Sequence, residues 1–364
     1  MFTYLRSFYY TVITVSKDIF CFTAEEFPYI IKITAQPEKR NDKEWTTYEK
    51  KLSILLAAAA GMAFLAAMPA SEEGASYTVG ICQFEQHNAL EEASLGFKDA
   101  LKETLGDQVT FYEQNTQGDY ATCTSIITDF VARDTDLILA NSTAALQAAA
   151  TATTDIPILG TSVTEYAAAL QLDDFDGTVG RNISGVSDLA PLEEQADMIQ
   201  ELFPKAKNVG LLYCSAEPNS QYQADVMQDE LEALGYSCKP YTFSDSNDIS
   251  SATMTAAAKC DVLYVPTDNT AAANAELIAN ICIPEGIPVI TGEESTCRLC
   301  GAATFSPNYY DIGYHTGEMA VRILAEGADI TTMPIEYSQD FTKRYNEEIC
   351  SKLGIPVPDD YSPL

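Results

Sequence analysis

Small hydroxyl and amide side chains recur in this chain at one kind of place, directly after a short apolar run. Asn141-Ser142-Thr143 follows residues 136–140, and Thr161-Ser162-Val163-Thr164 follows 156–160. Cys214-Ser215-Ala216-Glu217-Pro218-Asn219-Ser220 follows 208–213, and Pro266-Thr267-Asp268-Asn269-Thr270 follows 261–265. Gly292-Glu293-Glu294 follows 288–291. If the runs are strands of open α/β sheets, the clusters sit beyond the carboxyl ends of the strands, where such sheets bind ligands. Each cluster also opens a helix, whose free N–H groups and dipole favour an anion. A carboxylate could be held there by hydroxyls and amides, with Asp268, Glu293 or Glu294 facing an ammonium. That is a site for a small zwitterion. Any one cluster is equally what helix capping requires without a ligand; five of them tilt the reading toward binding.

Signals for catalysis are thin. The chain has no GxGxxG, P-loop, GxSxG or HExxH pattern. It has 2 histidines. His315 lies in a helical stretch and reads as a surface or capping residue. His87, in Gln83-Phe84-Glu85-Gln86-His87-Asn88, follows the first strand and could line a cleft. An enzyme built on His87 is the rival class, and turnover of a bound compound would reveal it. Adjacent glutamates such as Glu91-Glu92 and Glu193-Glu194 diverge by about 100° on a helix and read as solvated faces, not acid/base pairs. Cys297 and Cys300 have a CxxC spacing, but a zinc site needs two further close ligands. Most of the other cysteines fall in apolar patterns where thiols pack as small core residues, one or two disulfides among them, with metal or redox chemistry as the alternative. No metal and no cofactor is expected.

The chain has 364 residues and a formal net charge of -32, nearly all of it beyond residue 70. So acidic a surface repels phosphate backbones and anionic headgroups, which argues against nucleic-acid or lipid-surface partners. From residue 77 onward, short apolar runs alternate with amphipathic stretches. Strands are predicted at 77–82, 108–112, 136–140 and 156–160, then at 208–213, 236–242, 261–265, 288–291 and 302–305. Helical periodicity fills the gaps, for example Leu90, Ala93, Phe97, Leu101 and Leu105. This alternation predicts an α/β fold of two doubly wound parallel-sheet lobes. No Gly- or Pro-rich linker separates the sets. Polar changeovers near 182–190, 307–311 and 329–338 suggest several thin crossings, which would make a multi-strand hinge. The expected division is 76–187 plus 309–330 for the N-lobe and 188–308 plus 331–364 for the C-lobe.

Residues 50–70 read as a secretory signal: Lys50-Lys51, an apolar core over 52–67, and a small-residue exit. A short membrane anchor is the alternative, but it needs about 20 apolar residues. Residues 1–49, rich in Phe and Tyr and holding the lone tryptophan Trp45, read as a leader arising from a mis-called translation start.

Asn182 to Asp188, Val209-Gly210-Leu211-Leu212-Tyr213, Glu217-Pro218-Asn219-Ser220, Val265-Pro266-Thr267-Asp268-Asn269-Thr270, the Gln83–His87 stretch and Tyr309-Tyr310-Asp311-Ile312-Gly313 resemble one family of ABC-transporter substrate-binding proteins. It is the family that includes tryptophan- and tyrosine-type amino-acid importers. The resemblance spans about residues 76–355. It implies a type I periplasmic-binding fold in a monomer outside the cytoplasm, two lobes closing on an amino acid, with aromatic ones favoured, and a separate permease and ATPase as partners. Sugars or nucleosides, and a sensor role, remain alternatives within the same fold. Carried onto this chain, the implied ligand contacts are Ser142, Thr143, Ser162, Thr164, Asn219, Ser220, Asp268 and Asn269. Phe84, Tyr309 and Tyr310 would supply aromatic packing, and His87 would line the cleft. Two departures stand out. Met68 occupies the place of the lipidated cysteine, which removes the usual lipid anchor, and Glu165-Tyr166 stands where relatives often carry Asp-Pro.

Overall fold

Val79 and Ile81 of strand β3 (Tyr77–Gln83) pack to one side of a sheet, while Cys82 packs to the other. Strand β5 (Leu137–Asn141) repeats the division, with Leu137 and Leu139 on the first side and Ile138 and Ala140 on the second. Side chains alternate across a strand, so runs that are apolar at every position must be covered on both faces. The helix Asn88–Leu105 covers one face through Phe97, Leu101 and Leu105, and the helix Tyr120–Ala132 covers the other through Ile127 and Phe130.

The computed structural model describes residues 76–364 and the backbone of a two-stranded antiparallel hairpin, β1 (Tyr10–Val15) and β2 (Asp18–Thr23), in which Tyr10 faces Thr23. The expected signal segment at 50–70, including Met68, and most of the expected leader lie outside the described residues. No helix among the described residues is long and apolar enough to cross a membrane.

Two sheets organise residues 76–364. The first adds β4 (Val109–Asn115), β6 (Ile158–Val163), β7 (Ile183–Ser187) and β13 (Glu336–Tyr337), in the order β13-β7-β6-β5-β3-β4. Every pairing in it is parallel, beginning with Tyr77 opposite Val109. The second contains β8 (Asn208–Cys214), β9 (Ser237–Phe243), β10 (Val262–Val265), β11 (Val289–Thr291), β12 (Ala303–Pro307), β14 (Phe341–Tyr345) and β15 (Ser362–Pro363). Its order is β15-β14-β12-β11-β10-β8-β9, parallel except that β14 runs antiparallel to β12. Both lobes are therefore α/β layers with their strands' carboxyl ends available to a ligand.

The chain changes sheet at three places: between β7 and the helix Leu192–Leu202, between β12 and the helix Tyr309–Leu324, and between β13 and β14. The third lies at 338–340, so the division falls seven residues later than the expected one after 330. Glu336 and Tyr337 pair with Val186 and Ser187, and Ile330 and Met333 are buried in the N-lobe core, so 331–337 belong to that lobe.

The helix Tyr309–Leu324 returns to lie on Asn88–Leu105 at backbone contact distance. A methyl group at Gly313 would overlap the Ala93 carbonyl oxygen, and one at Gly96 would overlap that of Tyr310. Gly313→Ala should therefore force the helices apart, at a cost of about 1–3 kcal/mol for overpacking. A melting temperature lowered by about 3–10 °C is expected. An unchanged melt by calorimetry would mean the helices slide freely.

All nine cysteines among the described residues are free thiols. Cys82 and Cys123 approach to 3.6 Å between sulfurs in the N-lobe core. Cys297 and Cys300 are buried in the C-lobe, where burial pushes both thiols up.

Candidate functional site

The carboxyl ends of the two sheets face one another across a narrow cavity. The space between atoms there, open to solvent at its mouth, is about 280 Å³. The N-lobe contributes His87, Leu90, Ser162 and Thr164, and Asp188 enters from the first crossing. The C-lobe contributes Asn219, Thr267, Asp268, Asn269, Ala272 and Glu293, and Tyr309 comes from the second crossing. No lysine or arginine lines it.

Seven of the expected contacts meet here: His87, Ser162, Thr164, Asn219, Asp268, Asn269 and Tyr309. Five do not line the cavity. Ser142 is the cap of the helix Thr143–Ala152, accepting from the Ala145 N–H at 3.2 Å. Thr143 is buried beside it, and its hydroxyl has no partner. Phe84 packs on the Tyr120 ring, 4.9 Å between centroids. Ser220 is buried behind Asn219, from whose amide it accepts at 3.3 Å. Tyr310 points away from the cleft, donating to Asp99 at 3.2 Å on the far side of the helix pair. Neighbours on a helix diverge by about 100°, so Tyr309 and Tyr310 cannot both face the ligand.

The carboxylates divide by what already occupies their oxygens. Asp268 caps the helix Asn269–Ala273, accepting from the Ala271 N–H at 2.7 Å, while its other oxygen accepts from the Cys214 N–H at 2.6 Å. Burial and the neighbouring Glu217 push its carboxyl up to about 8. Glu293 likewise caps its helix, accepting from the Ser295 and Thr296 N–H groups at 2.6 Å each. Glu294 pairs with Arg298 on the surface side. Asp268 and Glu293 hold the ends of C-lobe helices, and Glu294 is engaged elsewhere.

Asp188 is different. It is buried; one oxygen accepts from the Tyr309 hydroxyl at 2.7 Å, and the other, Oδ1, has no partner. Burial raises its carboxyl above the ordinary range, against the pull of the Tyr309 and Thr164 hydroxyls. Buried polar atoms without partners are rare and demand a reason. Three cavity residues carry one: Asp188 Oδ1, Ser162 Oγ and His87 Nδ1. Ser162 is also held at φ +53°, in the left-handed region that only a constrained site retains for a non-glycine residue.

Asp188 escaped selection from sequence because β7, the strand it follows, is not among the predicted strands, and because it stands alone and not in a cluster. Glu217 sat inside a cluster, but its work is internal. Its two oxygens accept from the Asn269 N–H and Nδ2–H at 3.0 and 2.7 Å, and from the Thr270 N–H and hydroxyl at 2.9 and 2.8 Å. It fixes the loop that carries Asp268 and Asn269. Two bonds cross between the lobes: His87 Nε2 to Asn269 Oδ1 at 3.2 Å, and the Tyr120 hydroxyl to the Ala216 carbonyl at 2.9 Å.

Residues 78–363 match the family described as ABC transporter substrate binding protein. The chain belongs to that family. It is a family of substrate-binding components that work outside the cytoplasm, not of enzymes. A curated relative, the tyrosine-binding protein of Clostridioides difficile (strain R20291), is 33% identical over 280 residues, 76% of this chain and 81% of the relative. An ABC domain from Streptococcus pneumonia, solved in complex with L-Trp, is 28% identical and superposes with a TM-score of 0.76 over 79% of this chain and 99% of its own. A substrate-binding protein with adhesive properties from Clostridium difficile, solved ligand-free and open, is 34% identical over the same shares, yet its TM-score is 0.62. The better superposition goes with the ligand-bound relative despite the lower identity. It agrees with the two hydrogen bonds that join the lobes here.

Proposed function

We propose that this protein captures an aromatic amino acid between its lobes and delivers it to the permease and ATPase of an ABC importer. The observation that carries the reading is the free oxygen of buried Asp188 in a cavity that no lysine or arginine lines. Such a cavity suits an ammonium and opposes a ligand that is only anionic. The ligand carboxylate would be met by neutral donors, the Ser162 and Thr164 hydroxyls, in place of a cation. The aromatic ring would lie between Tyr309 and the apolar side chains of Leu90 and Ala272. The tyrosine-binding and L-Trp-bound relatives support the aromatic class. Closure then follows from differential affinity: a ligand that touches both lobes favours the state in which they are joined. No bond in the ligand is broken, and it is recovered unchanged. The chain reaches its site of action through the 50–70 signal and is held there without the usual lipid, given Met68.

Calorimetric titration with L-tyrosine, L-tryptophan and L-phenylalanine tests this, with glucose and a nucleoside as controls. Binding at micromolar Kd or tighter, about -8 kcal/mol or better, is expected for an aromatic amino acid and none for the controls. Sugar or nucleoside binding with silence across the amino acids would overturn it.

A pH dependence follows from the raised Asp188 carboxyl. An ammonium stabilises the charged carboxylate, so ligand binding lowers its pKa and expels the proton it holds at lower pH. Affinity should therefore fall as pH drops through the raised value, by up to about tenfold per unit. Calorimetry in two buffers of different ionisation enthalpy reads the proton release directly. A flat affinity from about pH 8 down to 4.5, with no protons released, would remove Asp188 from the ammonium site.

A further inference from the structure

Hydrogen bonding around Asn269 fixes which nitrogen of His87 carries the proton. Asn269 Nδ2 lies 2.7 Å from Glu217 Oε2. A carboxylate only accepts, so the amide nitrogen must face Glu217 and the amide oxygen must face His87. That oxygen lies 3.2 Å from His87 Nε2, which therefore donates. In the neutral ring Nδ1 is left as a bare acceptor. Nδ1 is buried and has no partner within the protein.

The surroundings say which end of the ligand it meets. Leu90 stands three residues after His87 at the start of the same helix, and Ala272 stands three residues after Asn269 on its own helix. All four line the cavity. Residues three apart on a helix share a face, so the His87–Asn269 bond draws the cavity's two aliphatic side chains to one end. Asp268, which precedes Asn269, has both oxygens taken by backbone N–H groups, whereas Asp188, with its free oxygen, comes from the first crossing. We infer that His87 Nδ1 accepts a hydrogen bond from a donor on the ligand's aromatic ring, a phenol O–H or an indole N–H, and so selects tyrosine and tryptophan over phenylalanine. The inference rests on the aromatic amino-acid reading and adds to it the residue that discriminates among aromatic ligands. A site built to bond a hydroxyl rejects the analogue that lacks it more strongly than an apolar pocket separates two sizes.

The test measures ratios on the full chain. For the wild type, L-tyrosine and L-tryptophan should bind at least about tenfold tighter than L-phenylalanine. His87→Leu removes both ring nitrogens. Loss of the Nε2 bond between the lobes weakens all three ligands by one common factor, whereas loss of Nδ1 weakens only those with a ring donor. The tyrosine-to-phenylalanine ratio should therefore collapse to within about threefold. A ratio unchanged in His87→Leu would overturn the inference and place Nδ1 at the end common to all amino acids, while leaving the aromatic reading intact. A wild type that binds none of the three would remove both. A ligand-side measurement needs no variant. 4-Fluoro-L-phenylalanine occupies the place of the phenol without donating, so it should bind the wild type like phenylalanine; tyrosine-like affinity would also overturn the assignment.

Discussion

Asp188→Asn should lower affinity for the aromatic amino acid by about 10²–10³-fold while leaving the ligand-free protein at least as stable as before. Asparagine keeps the shape of the side chain and an oxygen that can accept from the Tyr309 hydroxyl, now 2.7 Å from Asp188 Oδ2. What disappears is the charge that would face the ligand ammonium. Truncating one partner of a buried, hydrogen-bonded charge pair costs about 2–5 kcal/mol, which sets the range. The second half of the expectation comes from the same burial. A carboxylate whose pKa is raised by desolvation is held in the free protein at a cost, and the neutral amide is relieved of that cost. A variant that binds weakly and melts no lower than wild type separates a ligand contact from a structural one. Tyr309→Phe gives a useful contrast, since it withdraws a donor from Asp188 without changing its charge, and a loss of about tenfold is expected. Binding by Asp188→Asn within threefold of wild type would show that the ammonium is held elsewhere.

Much of the scaffold was legible in the sequence because parallel strands covered on both faces read as continuous apolar runs. All nine expected strands exist, their ends displaced by at most three residues. β7 was missed. Its Ile-Ser-Gly-Val-Ser holds only two large apolar residues, and Gly185 is needed there because a methyl would overlap the Gly160 carbonyl oxygen and the Tyr166 hydroxyl. Close approach of backbones suppresses the hydrophobic signal that marks a strand. β14, with Lys343 and Arg344 in its middle, was missed because an edge region tolerates charge. The site was legible at the level of strand ends, where seven of twelve expected contacts meet in one cavity. Which carboxylate has a free oxygen was not legible. Asp268 and Asp188 both follow strands, and only the partners around them show that one caps a helix and braces Cys214 while the other keeps an oxygen free.

Glu217→Ala is expected to lower the melting temperature by about 10 °C and to abolish measurable ligand binding, although Glu217 itself does not line the cavity. Four donors from Asn269 and Thr270 converge on its two oxygens at 2.7–3.0 Å. Deletion leaves them unsatisfied in a buried place, at about 1–3 kcal/mol for each donor that water cannot reach. With water entering to satisfy some, a net loss of about 3–5 kcal/mol corresponds to the expected shift at about 2–4 °C per kcal/mol. Binding is lost for a separate reason. Asn269 would no longer be oriented by Glu217, so its bond to His87 would lose direction, and the Asp268 cap would lose its neighbour. Glu217→Gln discriminates the two roles. Its amide oxygen can still accept from Thr270, but its NH₂ group would confront the N–H groups of Asn269, so stability should recover in part and lobe closure much less. The same change removes a negative charge beside Asp268, and the Asp268 carboxyl should fall from its raised value, which titration followed by NMR would detect. A Glu217→Ala melt within about 2 °C of wild type would mean that the loop is held by its helix and strand alone, and that the carboxylate at its centre is dispensable.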